Sequence, residues 1–99
     1  MKNKNITDKK KLLLKLYVVG MNQTAQRAFT NLEKICEEYF PNQYTIEIVN
    51  LLENPTLAVE EQIFAVPLVV KELPLPIKKV IGDLSDKEKV LVGLGLYSL

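Results

Sequence analysis

Residues Leu12 to Val19, LLLKLYVV, are apolar whichever way the backbone is turned, with Lys15 the one interruption, and the run stops at Gly20. A strand with two apolar faces has to be covered on both, which places it in the middle of a sheet with helices on either side. Ala25, Ala28, Phe29, Leu32, Ile35, Cys36 and Tyr39 then recur at helical spacing and form the clearest amphipathic stripe in the chain. Thr24 is the expected cap of that helix, and Pro41-Asn42 its end. Tyr44 to Leu52 is rich in Ile, Val and Tyr and reads as a second strand. Strand, helix and strand in this order predict a right-handed βαβ unit with a parallel pair.

The second half is less decided. Asn54-Pro55 offers a cap followed by a first-turn proline, which predicts a helix running to Ala65 with Glu60-Glu61 on its outer face. Ala65 to Gly93 then supports two incompatible readings. In one, Val66-Pro67 enters a strand over Leu68 to Glu72, Leu73-Pro74-Leu75-Pro76 turns into a strand over Ile77 to Ile81, and Ser85 caps a helix through a capping box with Glu88. In the other, Pro76 opens a helix whose Ile77, Val80, Ile81 and Leu84 share one face, and Lys89 to Leu96 becomes a strand. Val90, Val92 and the two glycines Gly93 and Gly95 favour the strand, because β-branched residues are stiff in helices and an interior Gly costs a helix about 1 kcal/mol against Ala.

Composition removes several functions. At 99 residues the chain makes one domain, which the pattern places at 12–99 behind a basic arm at 1–11 carrying Lys2, Lys4, Lys9, Lys10 and Lys11. A net charge of +1 gives no case for nucleic acid, and no signal peptide follows the arm, so the expected location is the cytoplasm. With one cysteine there is no internal disulfide, and with no histidine the commonest metal ligand and general base is missing. Glu37-Glu38, Glu60-Glu61 and the Asp83/Asp86/Glu88 group have the spacing of solvated helix faces or caps. No catalytic residue, cofactor or metal site is expected.

In the first of the two readings the element order is that of the thioredoxin fold. Redox members carry Cys-x-x-Cys between the first strand and helix, where the helix N-terminus lowers a thiol pKa. Here that loop is Gly20-Met21-Asn22-Gln23-Thr24, without a thiol, and Cys36 falls on the apolar helix face as an inert core residue. Val66-Pro67 stands where thioredoxin-like proteins carry a cis-proline, although most X-Pro bonds are trans.

KLYVVG at Lys15 to Gly20, Arg27-Ala28, ENPTLA at Glu53 to Ala58, AVPLV at Ala65 to Val69 and, above all, LPLPIKKVIGDLSDKEKVLVGL at Leu73 to Leu94 together resemble the KaiB family. The resemblance runs from about Leu14 to Leu96 and implies an α/β, metamorphic protein. Its ground state would be a self-associated βαββααβ form, usually a tetramer. Its switched state would be a thioredoxin-like βαβαββα monomer that docks on a KaiC-type ATPase, in competition with a histidine kinase carrying a KaiB-like domain. The resemblance also implies that the first fifty residues are shared by the two states, and that Arg27, Lys78 and Lys79 are partner-binding. Pro67, Gly93 and Gly95 are the expected fold-switch positions, and Gly→Ala at 93 or 95 is expected to favour the thioredoxin-like state through helix propensity. A KaiB homologue working in a stress or signalling pathway without an oscillator is the alternative reading. Val90 to Leu99 is apolar enough to predict self-association.

Overall fold

A computed structural model describes residues 11–96, so most of the basic arm and the last three residues of the apolar terminus lie outside the described chain. The elements are β1 (Leu12–Val18), α1 (Gln23–Tyr39), β2 (Tyr44–Asn50), α2 (Thr56–Glu60), β3 (Leu68–Leu73), β4 (Lys78–Ile81) and α3 (Lys87–Gly93). They form one four-stranded sheet in the order β2-β1-β3-β4, with β1 parallel to β2 and antiparallel to β3. This is the first of the two readings of the second half, and the fold is of the thioredoxin-like type.

The doubly apolar run does what its pattern requires. Leu12, Leu14, Leu16 and Val18 join Ala25, Ala28, Leu32, Ile35 and Cys36 of α1 and Val90 of α3 in the main core. Tyr17 faces the other way, into a smaller cluster with Leu51, Leu68 and Val70 that Leu57, Ala58 and Ile63 pack against. Of the predicted helical stripe only Tyr39 leaves the core: it is 44% exposed, and Lys87 Nζ lies 5.6 Å from its ring centroid while pairing with Glu38 at 3.3 Å. That contact ties the end of α1 to the start of α3.

Three boundaries differ from the sequence expectation. Asn22, not Thr24, caps α1, its Oδ1 accepting from the Ala25 N–H at 2.8 Å. Asp86, not Ser85, caps α3, because Ser85 donates to the Asp83 carboxylate and leaves the Asp86 carboxylate to accept from Lys89 N–H at 3.2 Å. The helix expected to reach Ala65 ends at Glu60. Gln62 takes a left-handed φ of 54°, and Ile63 N–H reaches back to Ala58 O at 2.8 Å, the closure of a Schellman stop.

The same stop ends α3, and it reassigns the two glycines. Gly95 has φ 67°, its N–H bonds Val92 O at 3.0 Å, and Leu96 N–H bonds Leu91 O at 2.8 Å. Gly95 is therefore the residue that terminates the helix rather than one that weakens its interior. Gly93 lies against β4: a Cβ there would come within 2.5 Å of Val80 Cγ2. Helix propensity, the ground for expecting alanine to favour this fold, meets two local costs here: Gly93→Ala overpacks the α3–β4 contact and Gly95→Ala forces an L-residue into the left-handed region.

Each substitution is expected to destabilise this arrangement, by about 1–3 kcal/mol at Gly93 and about 1–2 kcal/mol at Gly95. Urea unfolding of monomeric protein measures both, and Val80→Ala in the Gly93→Ala background is expected to recover part of the loss. A Gly93→Ala variant as stable as the parent would show that α3 does not sit this close to β4.

Candidate interaction site

At the end of the sheet where β1 gives way to α1, three loops meet. Asn50 Oδ1 accepts from Gly20 N–H at 2.9 Å and from Leu52 N–H at 3.0 Å, so one side chain holds the loop after β1 against the turn after β2. Gly20, at φ 75°, lets that loop turn sharply, and a Cβ on it would already stand 3.2 Å from Leu52 Cδ1. The third loop delivers Val66-Pro67 with a cis peptide bond, so the position left open by the sequence is occupied by the cis isomer.

Two adjoining concavities result. One, of about 210 Å³, lies between the loop after β1 and Val66-Pro67, and Asn22, Thr24 and Ala25 line it. Next to it Val19, Leu51, Leu52, Ile63, Phe64 and Val66 border an apolar groove of about 270 Å³. Phe64 is 92% exposed and Leu52 65%, and Val19, Met21 and Val66 are also open to solvent. Aromatic and aliphatic groups left bare together on so small a domain mark a contact surface. The loop from Val19 to Thr24 brings no thiol, carboxylate or amine to it. Among the described residues no three His, Cys, Asp or Glu side chains cluster as metal ligands. What the site offers is shape and apolar area.

Cys36 lies in the core, fully buried, and burial pushes its thiol up to about 12. Arg27 is exposed on α1, where its charge, after the hydrogen bonds from Ser85, helps hold the Asp83 carboxyl below its usual range. Lys78 and Lys79 are neighbours on β4 and so point to opposite faces of the sheet: Lys78 with the α1 and α3 side, Lys79 beside Tyr17, Glu61 and Glu72 on the α2 side. The three basic residues singled out from the sequence are thus not brought into one patch. Pro67 lies in the site, whereas Gly93 and Gly95 end α3.

Two residues of consequence escaped the sequence reading. Phe64 sits in what was expected to be the last turn of a helix, and nothing in the local pattern marks it as bare. Lys71 is 2% exposed, in a strand where Leu68, Val69 and Val70 are buried as well. Strand periodicity was the available signal, since Lys71 shares a face with the core residue Val69.

The sequence profile described as the KaiB domain matches residues 15–96. A protein of Microcystis aeruginosa named circadian clock oscillator protein KaiB is 49% identical over 88 residues, covering 89% of this chain and 85% of the relative. Among solved structures, the N-terminal domain of Synechococcus elongatus SasA superposes with a TM-score of 0.71 at 20% identity, covering 91% of this chain and 89% of that one. The thioredoxin Deadhead of Drosophila melanogaster superposes with a TM-score of 0.66 at 9% identity, covering 96% and 89%. The last two show the shared fold.

A thioredoxin-like fold with its one thiol inside the core makes a direct test. Cys36 is expected to react with a thiol reagent only in denaturant, and insulin reduction to stay at the rate of the reductant alone. Stoichiometric labelling of the native protein within minutes would contradict the placement of Cys36.

Proposed function

The chain belongs to the KaiB family, and from that premise we propose that it is a non-enzymatic clock-type regulator that docks on a KaiC-type ATPase in the thioredoxin-like arrangement described above. A single observation carries this reading. The end of the fold where redox relatives place a nucleophile keeps its capped helix and cis-proline, has no thiol, and presents Phe64, Leu52, Val19 and Val66 to solvent instead.

The proposal includes a second packing of the same chain, a self-associated form, most simply a tetramer, in which the first half is kept and the part after Pro67 is rebuilt. The double legibility of Ala65 to Gly93 supports it. Two packings interconvert when they differ by a few kcal/mol, and a partner that takes one of them supplies the bias. Arg27 stands one turn along α1 from Thr24 and Ala25 and extends the docking surface with positive charge, while Lys78 and Lys79 serve from the opposite faces of β4. The fold shared with the N-terminal domain of SasA supports competition for the ATPase by a second protein of the same shape, the histidine kinase of the resemblance above.

Phe64→Ser combined with Leu52→Ser removes the most exposed apolar groups of the site while touching no buried side chain, so stability is expected to hold within about 0.5 kcal/mol. Co-elution with the KaiC-type ATPase of the same organism is expected to weaken at least tenfold, whereas Thr30→Ala on the exposed face of α1 leaves it intact. Full binding by the double variant would move the docking surface elsewhere. Light scattering of the isolated protein is expected to find a species several times the 11.3 kDa chain, which the ATPase converts to bound monomer.

A further inference from the structure

On the α2 side of the sheet, adjoining the apolar groove at Ile63, lies a further cavity of about 200 Å³. Tyr17, Ile63 and Leu68 give it apolar walls, and Glu61 at the end of α2, Glu72 on β3 and Lys79 on β4 bring charge to it. Tyr17 is only 4% exposed, yet its hydroxyl has no hydrogen-bond partner among the described residues. No wholly buried side-chain oxygen goes unpartnered there, so the hydroxyl is open to solvent, and the cavity is the space that Tyr17 lines. No ion pair joins Lys79 to Glu61 or to Glu72, although all three border the same space.

We propose that this cavity receives one basic side chain of the docked partner, its aliphatic stem against Ile63 and Leu68 and its cationic head between Glu61, Glu72 and the Tyr17 hydroxyl. The inference rests on the docking reading above and names what the partner must bring to it. Ile63 borders this cavity and the groove of Phe64 and Val66 alike, so a partner seated on the groove reaches the cavity across one residue.

Size and charge both select this occupant. The volume is below the roughly 300 Å³ at which sites for whole small ligands begin, and it suits a single side chain. Three oxygen acceptors, two of them anionic, call for a head with positive charge and several N–H donors, on a stem that tolerates apolar walls: the chemistry of lysine and arginine. The field at the phenol has the same sense. Burial, and after it the negative charges of Glu61, Glu72 and Glu47, pushes the Tyr17 hydroxyl above its usual range. Lys15 stands opposite Glu47 in the β1–β2 register and offsets the last of these, while Lys79 is exposed and can keep its amine in water as the head binds. An acidic side chain would meet two like charges here and is excluded.

Affinity for the KaiC-type ATPase is measured for Tyr17→Phe, which removes the hydroxyl and keeps the ring, and for Glu72→Gln, which removes a charge and keeps the shape. Each is expected to weaken binding about tenfold, and the double variant by less than the product of the two, because both groups hold one head. Glu33→Gln, an exposed carboxylate of α1 on the other side of the sheet, is expected to leave binding intact; an equal loss there would reduce the effect to long-range attraction and overturn the proposal. Urea unfolding and light scattering of the free variants are expected to match the parent, and where Tyr17→Phe departs from it, Glu72→Gln decides. On the ATPase, one Arg→Ala or Lys→Ala substitution is expected to reproduce the loss and to add nothing to Glu72→Gln; a loss that no such substitution reproduces would also overturn the proposal. Parent-level binding by Tyr17→Phe and Glu72→Gln, with the Phe64→Ser, Leu52→Ser variant still impaired, removes the cavity from the interface and leaves the docking reading standing. Parent-level binding by all of them removes both.

Discussion

The rest of the molecule depends on the need to cover both faces and both edges of β1. Its Leu12, Leu14 and Leu16 are almost wholly removed from water under α1, its Tyr17 is covered from the α2 side, and its two edges are paired with β2 and β3. Each buried leucine of this kind contributes roughly 1.5–3 kcal/mol, so no arrangement of the chain can leave this strand uncovered. The connection through α1 to β2 satisfies one face and one edge with local sequence. The other face and the other edge are satisfied by whatever the second half brings, and here it brings β3, the α2 region and their loops.

The second half does this at identifiable cost. Leu84 is buried at a φ of 63°, a region an L-residue enters at about 1–2 kcal/mol, held there by its apolar contacts and by Asn31 Nδ2 donating to Asp83 O at 2.9 Å. α3 can approach β4 only because residue 93 has no side chain, and it can stop only because residue 95 tolerates a positive φ. In the first fifty residues the left-handed positions are Asn42 at φ 62° and Gly20 at φ 75°, both residue types that enter this region more easily than Leu84 does.

What could be read in the sequence follows the same division. The β1 run, the α1 stripe and the parallel pair are legible because burial on both faces and a helical period leave little choice of phase. Helix starts were misplaced because polar residues capable of capping stand in clusters: Asn22, Gln23 and Thr24 before α1, Asp83, Ser85 and Asp86 before α3. The bonds those residues make decide which of them is used: Asn22 Oδ1 takes the Ala25 N–H, while Ser85 is engaged with the Asp83 carboxylate and leaves Asp86 to accept from Lys89 N–H. The glycines were misread for a related reason. Propensity describes an average helix interior, whereas Gly93 answers to Val80 on another element and Gly95 to the hydrogen bonds of a helix stop. The site itself was visible only as an absence, the thiol-free loop, because the bareness of Phe64 is a property of how α2 ends.

That bareness also joins the site to the state of the fold. Val19 and Leu52 come from the anchored half, fixed through Asn50, while Phe64, Val66 and Pro67 come from the segment that leads into β3. The two sets adjoin here with β3 lying against β1 and Leu68 opposite Tyr17. A partner that takes the whole groove therefore has differential affinity for this arrangement and draws the population toward it, whereas one that touches only Val19 and Leu52 binds every packing alike and shifts nothing. On the proposed two-state reading, the composite origin of the apolar groove would make a docking surface a reader of conformation.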